Sequence, residues 1–120
     1  MATRSKYSAI RTRLKDQTFD SRLEARRWLY LQDRQRRGHI SNLRRQVRYQ
    51  LLPGEKLPDG STLRPIAYVA DFVYDHPDGR QTVEDAKGVR TQVYKLKRHL
   101  MWHIHQIIIH EIETPTDELR

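Results

Sequence analysis

The pattern of apolar and polar positions predicts two helices and four strands. Helical periodicity appears at residues 21–37 and 91–101. Alternating or continuously apolar runs, rich in β-branched and aromatic residues, predict strands at 43–52, 66–75, 80–87 and 104–112. The order is helix, strand, strand, strand, helix, strand. It predicts a mixed α/β sheet, antiparallel at first and with a parallel last strand reached through a right-handed helical crossover.

The first predicted helix carries a signal at each end. Ser21 is a good N-cap, Glu24 follows three residues later as in a capping box, and Gly38 ends the pattern. The apolar residues expected to face inward are Ala25, Trp28, Leu29 and Leu31 in this helix, and Val93, Leu96 and Leu100 in the second.

Alternation along the first strand assigns its residues to two faces. The apolar face is expected to hold Leu43, Val47, Tyr49 and Leu51, and the polar face Arg44, Gln46, Arg48 and Gln50. A turn-rich loop follows at residues 53–65.

The sequence HPDG at residues 76–79 predicts a hairpin turn that fixes the register of two strands. If residues 77–79 form a type I turn with a bulged glycine, His76 lies opposite Arg80. Counting back along both strands, the further predicted pairs are Asp71 with Asp85 and Val69 with Lys87.

The stretch TVEDAKG, residues 82–88, places several charges at the end of a predicted strand. Alternation puts Asp85 and Lys87 on one face with Val83 and turns Glu84 to the other face, where we expect it to have no special role. Two carboxylates side by side destabilise a sheet, so compensation is expected from a divalent cation and from Lys87.

Glu24 is expected to face inward because it shares a helical stripe with Trp28 and Leu31. Two roles remain open for it. It forms a capping box with Ser21, or it joins the acidic residues of the strands, and the two roles are compatible.

Composition changes the picture through charge. The chain has 120 residues, which predicts one domain, and its 23 basic against 15 acidic residues give a net charge of +8. The first 50 residues are strongly basic, as expected for a protein that meets phosphate backbones. Residues 1–15 also have the composition of a transit peptide, although the basic bias that continues beyond them favours a nucleic-acid-binding arm.

Several classes of protein are disfavoured. Without cysteine there is no disulfide framework or thiolate zinc site, and no apolar run is long enough to span a membrane. A zinc site built from histidines lacks a third ligand at a convincing spacing; the histidines concerned are His99, His103, His105 and His110.

Asp71 followed by Asp85-Ala86-Lys87 resembles the signature of the PD-(D/E)XK nuclease superfamily. The segments FDSRLEARRW, GHISNLRRQVRYQL, YVADFVY, VEDAKG and TQVYKLKRHL together resemble a family of small phage-encoded nucleases within it. The resemblance covers residues 6–112, and Ala70 stands where proline is usual. It implies a restriction-endonuclease-like α/β core, with a mixed central sheet flanked by helices, at residues 19–113. A basic arm at 1–18 precedes this core, and a flexible tail at 114–120 follows it.

The resemblance also implies the chemistry. Mg²⁺, with Mn²⁺ as a substitute, would be held by Asp71, Asp85, Glu24 and the backbone carbonyl of Ala86. Lys87 would orient or deprotonate the attacking water, and Gln46 would face the site, although a solvent-facing Gln46 is an equal alternative. The residues expected to contact DNA are Arg4, Lys6, Arg11, Arg13, Arg44, Arg48, Lys95 and Lys97.

The expected partner is DNA, with no membrane and no small-molecule cofactor. A chain this short has little room for a specificity domain, which favours recognition of DNA structure over sequence. By resemblance the leading expectation is a Holliday junction resolvase, acting as a homodimer in the cytoplasm of a bacterial host and of phage or prophage origin. The alternatives are a nicking or restriction-like endonuclease, a non-catalytic DNA-binding protein, and a structural or partner-binding protein.

Overall fold

A computed structural model describes residues 11–14, 17–87 and 89–119. The elements are β1 (Thr12–Leu14), β2 (Gln17–Phe19), α1 (Arg22–Arg36), β3 (Ser41–Leu52), β4 (Glu55–Lys56), β5 (Thr62–Leu63), β6 (Ile66–Asp75), β7 (Gln81–Ala86), α2 (Gln92–His105) and β8 (Ile109–Ile112).

The central sheet has the strand order β3-β6-β7-β8. The first two pairs are antiparallel and β7 pairs with β8 in parallel, as the element order predicts. The α/β class with a mixed central sheet flanked by helices is therefore confirmed. Of two short antiparallel pairs, β1-β2 runs from the predicted arm into the first residue of the predicted core, and β4-β5 lies within the predicted loop.

The sheet is covered by a helix on each face, which divides the core into two clusters. The α1 cluster is built from Leu31, Ile40, Phe72 and Tyr74, with Trp28, Tyr30, Leu43 and Leu119 packed against it. The α2 cluster is built from Leu51, Tyr68, Ala70, Val73, Val83, Tyr94, Met101 and Ile109, with Val47, Tyr49, Leu100 and Ile107 beside it.

Strand β6 changes face at Asp71. Ala70 packs in the α2 cluster, whereas Phe72, two residues later, packs in the α1 cluster. On the neighbouring strand Gln46 has a positive φ of 52°, which is costly for a residue with a side chain. Both strands therefore change the faces on which their side chains lie at the same level, where Gln46 is opposite Asp71, and this is the level of the candidate site.

This twist corrects the predicted faces of β3. Leu43 packs against the α1 cluster, whereas Val47, Tyr49 and Leu51 belong to the α2 cluster, so the four do not share a face. Arg44 pairs with Val73 on the α2 side, so it does not lie with Arg48 on one polar face.

The predicted inward stripes are partly wrong. In α1, Leu29 is exposed, while Arg27, which was not among the residues expected to face inward, is completely buried. In α2, Val93 and Leu96 are exposed, and Tyr94 and Met101 are the buried residues. The buried face of α2 is therefore rotated relative to the predicted one, and Tyr94 and Met101 are its members in the α2 cluster.

Helix α2 also runs further than predicted. It ends at His105 and is capped by Gln106 in the left-handed conformation (φ 55°), so the last strand starts at Ile109 rather than at residue 104. His103 and His105 lie two residues apart on a helix, so they do not share a face. His105 is hydrogen-bonded to the carbonyl of Gln50 instead (2.7 Å).

The predicted C-terminal tail packs against α1. Arg27 donates to the carbonyl oxygens of Pro115 (3.1 Å) and Asp117 (2.7 Å), and Leu119 lies against the α1 cluster.

Candidate active site

The candidate site is a cleft where β6 and β7 separate. Their pairs end at Phe72 opposite Glu84, and beyond this point β7 pairs only with β8. Asp71 fills the opening, because its Oδ2 accepts the backbone N–H of Ala86 at 2.8 Å. A carboxylate thus replaces the next backbone acceptor of the ladder.

The predicted register is confirmed up to this opening. The backbone N–H of His76 donates to the carbonyl of Arg80, and the four pairs of the hairpin share one offset, which continues to Asp71 and Asp85. The predicted pairing of Val69 with Lys87 is wrong because the strands have diverged there, although both residues line the cleft.

Asp85 lies at the floor of the cleft and is almost fully buried. Its Oδ1 forms an ion pair with Nζ of Lys87 (3.0 Å), and its Oδ2 accepts the hydroxyl of Tyr68. The ammonium of Lys87 also lies over the ring of Tyr94, 4.2 Å from its centroid. These contacts fix the positions of both charged groups. The prediction that Asp85 and Lys87 lie on one face of the strand is therefore confirmed.

The carboxylates act on one another. Burial, then the charges of Asp85 and Glu24, raise the pKa of Asp71 to about 8, against the lowering effects of the Ala86 N–H and Lys87. Burial and the Asp85 charge also raise the pKa of Tyr68, so its hydroxyl stays a proton donor. A negative charge on Asp71 is therefore costly in this cleft.

This charge predicts a pH-dependent stability in EDTA. Because Asp71 holds its proton more tightly when folded, the native state binds more protons between pH 4 and 8, and stability falls as pH rises through that window. The slope approaches about 1.4 kcal/mol per pH unit. Urea unfolding at pH 5, 7 and 9 measures it. Asp71→Asn is expected to flatten this part of the profile; an unchanged slope in that variant would contradict the assignment.

Glu24 begins the inward stripe of α1, as predicted. Ser21 is the N-cap, and its hydroxyl accepts the backbone N–H of Glu24 at 3.0 Å. The Glu24 carboxylate is buried, accepts from Arg45 at 3.4 Å, and has a pKa raised mainly by burial. The helix cap and the inward carboxylate thus occur together.

The Ser21 cap carries its own prediction. Ser21→Ala removes one acceptor from the first turn of α1 and is expected to lower the free energy of unfolding by about 0.5–2 kcal/mol. Urea denaturation measures this loss, with Ser61→Ala, in the β4-β5 turn, as the comparison variant. Equal loss in a Ser21→Asp variant, which keeps an acceptor, would show that the cap is not the cause.

Gln46 bridges the helix and the sheet. Its Nε2 donates to Oε1 of Glu24 at 3.3 Å and lies 3.5 Å from Oδ1 of Asp71. Both alternatives left by the sequence hold in part: the side-chain amide contacts the two carboxylates, and the residue is exposed to solvent. Its left-handed backbone is what turns it towards the two carboxylates.

Sequence reasoning missed two residues of the site, Arg45 and Tyr68. Arg45 stacks on the ring of Phe19, 3.8 Å from its centroid, and donates to the carbonyl of Thr18. It thereby connects the β1-β2 hairpin to Glu24. An arginine next to Gln46 carries no distinguishing signal, because simple alternation places it on the other face. Tyr68 is far from Asp85 in sequence, and the pairing of β6 with β7 is what brings the two side chains together.

The oxygen donors of the cleft suit a divalent cation. Asp71 and Asp85 supply hard carboxylate oxygens next to each other in a partly buried cleft, and Mg²⁺ is commonly held by one or two carboxylates and waters. This pair fits such an ion. Within the described ranges no group of three His, Cys, Asp or Glu side chains is placed to hold a metal ion, and Glu24 as a further ligand stays a prediction.

The residues predicted to contact DNA are dispersed. Arg11, Arg13, Arg48 and Lys95 are exposed, whereas Arg44 is half-buried and donates to the carbonyl of Asn42. Lys97 lines the cleft. Arg4 and Lys6 lie outside the described residues.

The fold and the cleft define an α/β protein with paired carboxylates and a lysine at the fork of its central sheet. The family model for "Protein of unknown function (DUF1064)" matches residues 4–112, and the chain belongs to this family. Comparison with curated proteins and with solved structures gives no match. Over the part of the chain that is described, no helix is long and apolar enough to cross a membrane.

Proposed function

We propose that the protein is a Mg²⁺-dependent endodeoxyribonuclease of the PD-(D/E)XK type that hydrolyses phosphodiester bonds in structured or branched DNA. One observation carries the proposal: Asp71, Asp85 and Lys87 converge at the fork of β6 and β7, in a cleft of about 880 Å³. The charge of Asp85 helps to raise the pKa of Asp71, so a cation bound between the two carboxylates is favourable, and a fixed lysine beside them suits the handling of a negatively charged phosphate.

Different residues of the cleft have different roles in the proposed reaction. Asp71 and Asp85 would hold Mg²⁺, or Mn²⁺ in its place, with the Ala86 carbonyl as a further donor; the ion, when bound, neutralises phosphate charge and acidifies water. Lys87 directs its ammonium towards the same point, where it orients the attacking water and stabilises developing negative charge. Gln46 holds Glu24 beside Asp71 through its amide.

DNA binding is supported by charge. The net charge of +8 favours association with a polyanion, and Arg22 and Lys97 lie at the walls of the cleft. These residues would hold the backbone while the acidic floor meets the scissile phosphate.

The decisive assay offers linear, nicked, flap and four-way-junction DNA to the protein with Mg²⁺, Mn²⁺ or EDTA. Cleavage that requires a divalent ion is expected. Paired symmetric nicks across the junction would support a homodimeric Holliday junction resolvase, and single nicks in duplex DNA a nicking or restriction-like endonuclease. DNA binding without cleavage in any metal would leave a non-catalytic DNA-binding protein. Phage or prophage origin and action in the bacterial cytoplasm are part of the proposal by resemblance.

Lys87 gives a specific prediction. Lys87→Gln removes the ammonium that faces the carboxylates, so kcat is expected to fall by about 10²-fold. DNA affinity, which depends on many charges, is expected to change much less. Single-turnover cleavage and a binding titration measure the two effects, with Lys56→Gln on the β4-β5 hairpin as the matched control. Equal losses in both variants would indicate a general charge effect and would reject the specific role.

A further inference from the structure

The walls of the cleft carry apolar side chains, whereas its floor carries the carboxylates. Three large aliphatic side chains line the cleft and remain exposed: Val69 (43%), Val89 (39%) and Val93 (62%). They come from β6, from the segment after β7, and from α2. Scattered exposed aliphatics are ordinary, but these three, from separate elements, line one charged cleft and offer apolar surface to a ligand there.

A phosphate backbone alone does not account for these walls. Phosphates and sugars are bound by Arg, Lys, amides and backbone N–H groups, and valine offers them no hydrogen bond. Covering the three valines is favourable only when the covering surface is itself apolar. A ligand that covers them must therefore present an apolar face next to a phosphate.

An unstacked nucleobase has both properties. In a duplex, base faces are covered by neighbouring pairs; in a single strand they are free to lie on a protein surface. Lys97 and Arg22 line the same cleft and suit the flanking backbone, so charge as well as shape matches a nucleic-acid strand.

We propose that the cleft takes a single-stranded segment of DNA, with one unstacked base against Val69, Val89 and Val93 and the adjoining phosphate at the acidic floor. This rests on the proposed function and narrows it. Within structured and branched DNA, the substrate has an unpaired nucleotide at the point of cleavage, as in a flap or at a transition from single to double strand. The base is held by its faces, which every base shares, so recognition there is independent of sequence.

Binding in EDTA and cleavage in Mg²⁺ test this with three DNAs: a flap, the same flap with abasic residues at the branch, and a fully paired duplex. Removal of the base is expected to weaken binding of wild-type protein to the flap by about tenfold. Val93→Ser and the double variant Val69→Ser/Val93→Ser should bind the normal flap about tenfold more weakly, with no further loss on the abasic flap. Leu29→Ser, which alters an exposed leucine of α1 outside the cleft, is the control and should behave as wild type.

The outcomes separate this inference from the proposed function. Cleavage that is equal on normal and abasic flaps, in wild type and variants alike, would overturn the inference and leave the nuclease standing. Base-dependent binding without cleavage in any metal would support the inference and reject the nuclease. If the serine variants instead dissociate a dimer and weaken binding to all three DNAs equally, the valines belong to an interface between two copies and the inference fails. Val93 is exposed on a helix, so its single variant tests the idea without endangering the fold.

Discussion

Replacement of Asp85 by asparagine is expected to lower the rate of DNA cleavage by at least about 10³-fold, because charge stabilisation at a metal site supplies several kcal/mol to the transition state. Asparagine keeps the shape of the side chain and an oxygen to accept the Tyr68 hydroxyl. The change removes the negative charge that faces Lys87 and Asp71. Single-turnover cleavage of the preferred DNA in Mg²⁺ measures the effect.

The fold should survive this change. Asp85 is one of the charges that raise the pKa of Asp71, so its neutralisation relieves repulsion, and the melting temperature in EDTA is expected to stay equal or rise. Asp78→Asn, at the exposed hairpin turn, is the control and should cut as wild type. An Asp85→Asn protein that cuts at the wild-type rate would disprove the site, even if a nuclease remained. A protein that unfolds would show that Asp85 serves the fold.

The parts of the site that could be predicted depend on local rules. The turn at residues 76–79 fixes a hairpin offset, and that offset brings Asp71 to Asp85 without knowledge of any other strand. Ser21 as a cap fixes where α1 begins and hence where Glu24 points. Such signals are short-range, and each is read from a few neighbouring residues.

The predictions that were wrong concern features that depend on tertiary packing. The buried face of α2 follows the fit of Tyr94 and Met101 in the core, and exposed Val93 and Leu96 obey the same helical period about equally well. Gln46 interrupts the alternation of its strand because it has a positive φ. A positive φ is usually indicated in a sequence by glycine or asparagine, and neither is present at this position. Arg45 comes to Glu24 only because of this break and because the β1-β2 hairpin is folded against it.

The prediction for Glu84 is the one that the structure corrects most clearly. The alternation correctly turns it away from Asp85, but the expectation that it has no special role is wrong. It is fully buried, forms two hydrogen bonds with Arg27 (2.9 and 2.6 Å), and accepts the hydroxyl of Tyr74. Arg27 lies one turn after Glu24 on α1, so this ion pair joins the helix that carries Glu24 to the strand that carries Asp85.

That pair gives the second large prediction. Glu84→Gln leaves the Arg27 guanidinium buried without a compensating charge, and the free energy of unfolding is expected to fall by about 3–5 kcal/mol. The double variant Arg27→Met/Glu84→Leu removes both charges, fills a similar volume, and should recover most of that loss. Urea denaturation of Arg27→Met, of Glu84→Leu and of the double variant closes the cycle and gives the coupling between the two side chains.

A matched surface pair shows whether burial is the cause. Arg80 and Asp78 approach to 2.7 Å, nearly as close as Arg27 and Glu84 at 2.6 Å, but both side chains are largely exposed. Asp78→Asn should therefore leave stability almost unchanged, because water solvates the remaining arginine. If Glu84→Gln also unfolds at the wild-type urea concentration, water must reach Arg27 and the link between α1 and β7 is weak. A large loss of stability in Glu84→Gln would show that the ion pair holds the fold. If the double variant then recovers stability but cuts DNA more slowly than wild type, the ion pair also sets the position of Glu24 relative to Asp85.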